Sequence, residues 1–334
     1  MPQCYFLQGR INAKGRNYMA KQSEKKQKAQ NSWLKAIKKN LPMIIFIMPG
    51  LAVMLINNYF PMFGLVMAFK RMDNSKGILK SPWSGFENFQ FLFQSGRAFS
   101  LTRNTVLYNL AFIVLGLIIS VSIAVSLIEI KTRILAKVYQ TIFIMPYFLS
   151  FVVIGYIVYG FLAPELGFFN KTLLPFLGME PISWYSTLNV WPYILILVHC
   201  LVYCGVDSII YSASITGIDV TLYESAVIDG AGKWAQIRHI TLPLLGPVIS
   251  VLSILKLGNI FKGNFGLFYQ VPMANPILTP VTDVLDTYIY RSLSTLGDFG
   301  MVTAASFYQS ALGLIVILSA NAIIRKINPD NAMF

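Results

Sequence analysis

Charge is what this sequence most lacks. Only 12% of its 334 residues are Asp, Glu, Lys or Arg, against about 25% in an ordinary soluble domain, so much of the folded surface need not face water. Histidine is almost missing, with only His199 and His239, and no HExxH is present. That removes the usual zinc-hydrolase framework and leaves too few bases for an integral membrane enzyme. There is no GxxxxGK[ST] phosphate loop, so an ATPase site on this chain is excluded as well. Cys4, Cys200 and Cys204 are odd in number and lack metal spacing. Cys200 and Cys204, four apart in an apolar stretch, read as small buried side chains. No cleavable signal is expected, because about forty polar and basic residues precede the first hydrophobic run.

Hydrophobic residues make up 55% of the chain and gather into runs long enough to cross a bilayer, for which a helix needs roughly 20 residues. Six spans are expected, over about 43–69, 104–128, 136–162, 188–211, 241–260 and 302–324. Pro49 and Pro61 are tolerable within a bundle, where neighbours satisfy the freed carbonyls, and the third span runs across Pro146. The net charge of +13 is largely local. Ten of the 27 basic residues fall in the first 40 positions, against the single acid Glu24, as the positive-inside rule expects of a cytoplasmic tail. A nucleic-acid surface would spread them over a folded face.

The expected organisation is therefore a basic tail over 1–40, a membrane domain over 41–326 and a short tail over 327–334. The first tail is disordered over 1–30 and ends in an amphipathic lead over 32–40, and Met19 is a second candidate start. Six crossings put both termini in the cytoplasm. The tight segment 129–135 makes the second and third spans an antiparallel hairpin. Segment 163–183 is a turn-rich outer connection, and 261–301 is long and polar, with contact to an outside partner as one candidate task. One loop breaks the charge rule: 70–103, placed outside, carries six basic residues against Asp73 and Glu87.

The cytoplasmic stretch between the fourth and fifth spans, 217–243, is the most informative. Asp219 or Thr221 caps a helix start, with Glu224 in its first turns. Leu222, Ala226, Gly230, Trp234 and Ile237 recur at helical spacing as an apolar stripe, and Gly230 permits a bend or a very close backbone approach. Such a helix asks for a protein partner or the lipid interface, and periodicity does not choose between them.

The run Glu224-Ser225-Ala226, three residues, Gly230-Ala231, eight residues, then Ile240-Thr241-Leu242-Pro243 resembles the EAA signature of binding-protein-dependent ABC importer permeases, with Ser225 for the middle alanine. Further patches resemble the oligosaccharide, LplB-like branch of that family: Tyr59 to Lys70, Asn104-Thr105, Tyr139 to Pro146, Ser208 to Tyr211, Asp286 to Arg291 and Ala332 to Phe334. Cys204-Gly205-Val206-Asp207 departs from it, where an aromatic and a small polar residue are expected.

The resemblance implies an all-α integral membrane protein with six transmembrane helices, the type I ABC importer fold and a cytoplasmic coupling helix. It implies a permease subunit, not an enzyme, that moves an oligosaccharide delivered by an extracytoplasmic binding protein across the bacterial cytoplasmic membrane. It also implies no cofactor on this chain, with ATP and Mg held by two ATP-binding subunits or a homodimeric ATPase, and pairing with a second related permease as a heterodimer. Glu224, Ala226, Asp229, Gly230, Ala231 and Pro243 would form the joint to the ATPase, and loss of Gly230 would harm coupling more than insertion. The alternatives are the same architecture serving a polyamine or phosphonate and, more remotely, a membrane scaffold.

A sugar path needs hydrogen-bonding groups and flat aromatic faces. Asn104, Tyr147, Trp191, Tyr193 and Asn259 are candidates for it. Helix-to-helix hydrogen bonding and interfacial anchoring are the competing readings for each. His199 reads as structural, and Asp207 as lying near the cytoplasmic end of its span.

Overall fold

A computed structural model describes residues 39–73, 75–94 and 96–327, and these are helical apart from turns and one isolated bridge, Lys70 to Trp83. The expected disordered tail, most of its amphipathic lead and the C-terminal tail past Ile327 lie outside the described residues. The chain forms two compact units, one ending at Gly64 and one beginning at Leu65. In the first, helix α1 (Leu41–Met54) runs through Pro49 and widens into a π turn over Leu55–Tyr59. With the tighter 3-10 turns of Phe60–Phe69 it makes a 29-residue apolar stretch. Turns of altered width absorb backbone groups that prolines leave unpaired.

The second unit is built around two long helices, α3 (Arg97–Glu129), preceded by the short α2 (Glu87–Gln94), and α6 (Trp191–Thr216). α3 and α6 run side by side in the same direction. Near their N-termini Tyr108 and Phe112 pack with Leu195, Val198 and Val202, and near their C-termini Val121 and Ala124 pack with Tyr211 and Ile215. Between these helices in sequence stand α4 (Arg133–Ile144) and α5 (Phe151–Leu162). Beyond α6 come α7 (Val220–Ile228), α8 (Lys233–Gln236), α9 (Leu242–Gly258), α10 (Leu285–Arg291) and α11 (Phe299–Ile327). Among the described residues, five helical stretches are long and apolar enough to cross a membrane, or six if the bent pair α4 and α5 counts as one.

The expected third span, 136–162 across Pro146, is this bent pair. The axis turns by 101° between Arg133–Phe148 and Phe151–Leu162. Pro146 sits in a 3-10 turn, Leu149 and Ser150 are extended, and the Ser150 hydroxyl accepts from the Val153 N–H at 3.4 Å to start a new helix. A proline without an N–H followed by a good N-cap ends one helix and begins another.

Segment 261–301 also differs from a polar outer connection. Leu267, Val271, Leu278, Val284 and Leu285 are fully buried, so the segment forms part of the core against α3, α5 and α6. One polar face of α3 holds it. Asn104 Nδ2 donates to the carbonyls of Pro280 and Asp283, both at 3.1 Å, and the Tyr108 hydroxyl donates to Val281 O at 2.8 Å. Asn109 Nδ2 donates to Ile260 O at 3.0 Å, while Thr105 Oγ1 accepts from the Leu285 N–H at 3.1 Å. Irregular backbone at membrane depth is tolerated where protein groups satisfy it, and these four side chains do so.

Candidate functional site

α7 begins where Asp219 Oδ1 accepts from the Thr221 N–H at 3.0 Å, so Asp219 is the cap. That backbone hydrogen bond holds the Asp219 carboxyl below the ordinary carboxylate range. At the other end the Gly230 N–H donates to Val227 O at 3.0 Å and the Ala231 N–H to Ala226 O at 2.8 Å, with Gly230 at φ +79°. This paired closure is a Schellman motif, which needs a left-handed residue at the turn and a fixed separation between its donor and acceptor. It accounts for the Ala226 to Gly230-Ala231 spacing: the alanines are bonded to each other through their backbones. Gly230 makes the bend, and no atom of this chain approaches its missing Cβ within 4 Å.

The bend also divides the expected stripe. Leu222 and Ala226 belong to α7, whereas Trp234 and Ile237 belong to a second helical stretch, α8 and the π turn Ile237–Thr241, which leads into α9. Two tethers join this loop to the long helices. The Tyr223 hydroxyl and Thr241 Oγ1 are 2.9 Å apart, linking α7 to the start of α9. Lys233 pairs with Glu129, at the end of α3, at 3.0 Å. Buried Gln236 closes the turn by donating to Ala231 O at 3.1 Å.

Glu224 and Tyr223 line a cavity of about 890 Å³ shared with Glu129, Lys131 and the end of α6. Asp229 and Pro243 are exposed, and Val227, Ile228 and Trp234 expose most of their apolar surface. A short rigid helix with an uncovered apolar face, tied at both ends to long helices, is able to pass a push to them. The tethering residues Tyr223, Thr241, Lys233 and Glu129 carried no sequence signal, because their partners are 18 or 104 positions apart.

The five path candidates separate. Trp191 is wholly buried, with its indole N–H on Trp184 O at 2.9 Å, and Asn104 is committed to the latch on 280–283. Trp191 faces no opening, whereas Asn104 lines a cleft beside Pro280 and Asp283, apart from the polar cavity between α6 and α9. Tyr193 is exposed and stands apart from the polar cavity. Asn259 does line that cavity, about 370 Å³, together with Asn109, His199, Tyr203, Asp207 and Lys256. Tyr147 reaches its edge, with its ring 5.9 Å from that of Tyr203. His199 stacks on Phe112 at 3.7 Å, and Asn264 Nδ2 donates to the Tyr203 hydroxyl at 2.7 Å.

Lys256 is the residue that sequence reasoning missed. Its ammonium bonds Asp207 at 2.5 Å, joining α9 to α6. Asp207, in the C-terminal half of α6, is therefore a helix-to-helix ion-pair partner. The signal was present, since Asp207 and Lys256 are the only ionised side chains in the fourth and fifth expected spans, and such residues pair with one another in membranes. Lys256→Met is expected to lower stability by about 2 kcal/mol, less than a fully buried pair would lose because the lysine is partly solvated. Adding Asp207→Asn should recover most of the loss in a thermal unfolding assay. A double variant no more stable than the single would count against the pair.

Residues 116–329 match the family model described as "Binding-protein-dependent transport system inner membrane component". Protein LplB of Bacillus subtilis is 30% identical over 90% of this chain and 93% of its own length. The polygalacturonan/rhamnogalacturonan transport system permease YteP of the same organism is 32% identical over 92% and 94%. Among solved structures, a chain of a bacterial ABC transporter involved in import of the acidic polysaccharide alginate superposes with a TM-score of 0.80 at 32% identity, covering 88% of this chain and 98% of that one. A second structure of a bacterial alginate ABC transporter, in complex with an alginate pentasaccharide-bound periplasmic protein, gives 0.79 at 31% identity over 88% and 97%. With the apolar helices, the type I importer fold and the EAA loop in place, this chain belongs to the family of binding-protein-dependent inner membrane transport components, the multi-pass permease subunits of ABC transporters.

Proposed function

We propose that this chain forms one half of a permease that carries an oligosaccharide, delivered by an extracytoplasmic binding protein, into the cytoplasm. ATP is hydrolysed on separate subunits seated against α7. The observation that carries this reading is the loop itself: a Schellman-closed helix bearing the EAA residues, tied to α9 through Tyr223 and to α3 through Lys233. Glu224, Ala226, Asp229, Gly230, Ala231 and Pro243 make the joint, and the ATPase covers the apolar face around Ile228 and Trp234. This orientation puts the loop and both termini in the cytoplasm. The sugar relatives and the polar, aromatic cavity with Asn109, Tyr203 and Asn259 support a saccharide cargo. A distinct second permease completes the path.

The test is ATP hydrolysis by the complex reconstituted in lipid with its binding protein and a panel of neutral and acidic oligosaccharides. Stimulation by one saccharide class is expected. A response confined to a polyamine or a phosphonate would overturn the cargo and keep the importer, and no response to any solute would overturn the importer reading.

A further inference from the structure

The excess of basic residues over 70–103 opposes the positive-inside rule, and the structure accounts for half of it. Lys70 is buried and donates to the carbonyls of Ile78 and Leu79, both at 2.9 Å, with its ammonium 5.4 Å from the centre of the Trp83 ring. Arg71 pairs with Glu87, and Lys76 with Asp73 at 3.1 Å. That uses both acids of the loop and leaves Lys80, Arg97 and Arg103 without an ion-pair partner among the described residues.

Two of these three stand at one place. Arg97 opens α3 and, with Arg291 of α10, lines a cleft of about 470 Å³ rimmed by Pro276 and Pro280. Arg103 leans over Asn104, which lines the same cleft, at 3.1 Å. The one acid within it, Asp283, is largely buried, accepts from the Thr287 hydroxyl at 2.6 Å and lies 3.4 Å from Arg291. That single carboxylate pairs directly with Arg291 and is felt by Arg97 only at longer range, so two guanidiniums share one acid and the cleft keeps a net positive charge, with Arg97 at its exposed mouth.

The position of the cleft fixes which side it serves. α3 is 33 residues long, about 50 Å at 1.5 Å per residue, with Arg97 at one end and Glu129, the anchor of the coupling loop, at the other. A cytoplasmic loop therefore puts the cleft outside. A saccharide is a poor occupant, because sugars ask for an open aromatic face. The one aromatic ring in the lining, Tyr288, is buried with its hydroxyl on Met301 Sδ at 3.1 Å.

We propose that this cleft is a docking point for the extracytoplasmic binding protein, where Arg97 receives an aspartate or glutamate side chain from that protein's surface. The proposal rests on the importer reading and its orientation. A guanidinium takes a carboxylate through two parallel hydrogen bonds, and a charge at an interface rim governs encounter and salt dependence more than the events that follow docking.

The experiment titrates ATP hydrolysis of the lipid-reconstituted complex with its saccharide-loaded binding protein, comparing the native chain, Arg97→Glu and Arg97→Lys. Arg97 is exposed, so all three should assemble and unfold at the same temperature. Arg97→Glu is expected to raise the binding-protein concentration needed for half-maximal stimulation about tenfold, with the same maximum and a smaller difference at high salt. Arg97→Lys should lie much nearer the native value. Superimposable native and Arg97→Glu titrations would overturn the docking proposal and leave the importer reading standing. A defect seen with acidic saccharides but absent with neutral ones would also overturn it, by making the cleft a sugar site. A native complex that its binding protein does not stimulate would sink the importer reading and this proposal together.

Discussion

Gly205→Ala is expected to destabilise the folded permease by about 3 kcal/mol. Gly205 lies on α6 where that helix crosses α4, and a Cβ built there falls 2.0 Å from Phe143 O and 2.4 Å from Phe143 C. These are backbone atoms, which no rotamer change can move aside, so the helices must separate by more than an ångström. Small residues let helix backbones approach closely, and packing is what drives helix association within lipid. Cys200 and Cys204, both buried on the same helix, report the separation. In a thermal scan with a thiol-reactive dye, their labelling should begin several degrees lower in the variant. Gly160→Ala on α5 is the control, since nothing lies within 4 Å of its added carbon. Equal scans for the two variants would show that the close crossing contributes nothing to stability.

The second large effect is expected at Gly230 and on activity. At φ +79° with no atom of this chain near its missing Cβ, Gly230 is held to glycine by its conformation and not by packing within the chain. A side chain in the left-handed region costs about 1 kcal/mol, roughly fivefold in the population of the closed turn, and β-branching costs more. Asparagine visits this region with less penalty than other side chains. Transport-coupled ATP hydrolysis should therefore fall in the order Gly230, Gly230→Asn, Gly230→Ala, Gly230→Val, with Gly230→Asp near the asparagine variant apart from its added charge. Membrane insertion and yield should stay level across the series. Asparagine and valine variants equally inactive would indicate contact with the ATPase at this position rather than a conformational requirement. Falling yields would place the effect in folding.

Gly205 and Gly230 differ in how far the sequence exposes their roles. Gly230 sits in a motif closed by hydrogen bonds spanning three and five residues, and local spacing carries such a pattern. Gly205 looked only like a departure from the family pattern, because its partner Phe143 belongs to another helix. Trp191 and Asn104 followed the same rule: a polar or aromatic residue inside a span announces that it needs a partner, yet not where that partner is. Trp191 found Trp184, while Asn104 found carbonyls 176 and 179 positions away.

The sequence by itself determined that this is a helical membrane protein, roughly where its apolar helices lie, and the glycine at which its cytoplasmic helix is able to bend. Scarce charge leaves lipid as the natural surroundings, lipid obliges each backbone segment to satisfy its own hydrogen bonds as a helix, and the capping motif closes within a few residues. Only the tertiary structure decided the 101° break after Pro146, the Asp207–Lys256 pair and the folding of 261–298 into the core. It alone also decided which of the basic residues on the outer loop are left over. Each of these depends on groups distant in sequence that desolvation forces together. A buried donor or charge must find its complement, and the choice among complements belongs to packing rather than to neighbours along the chain.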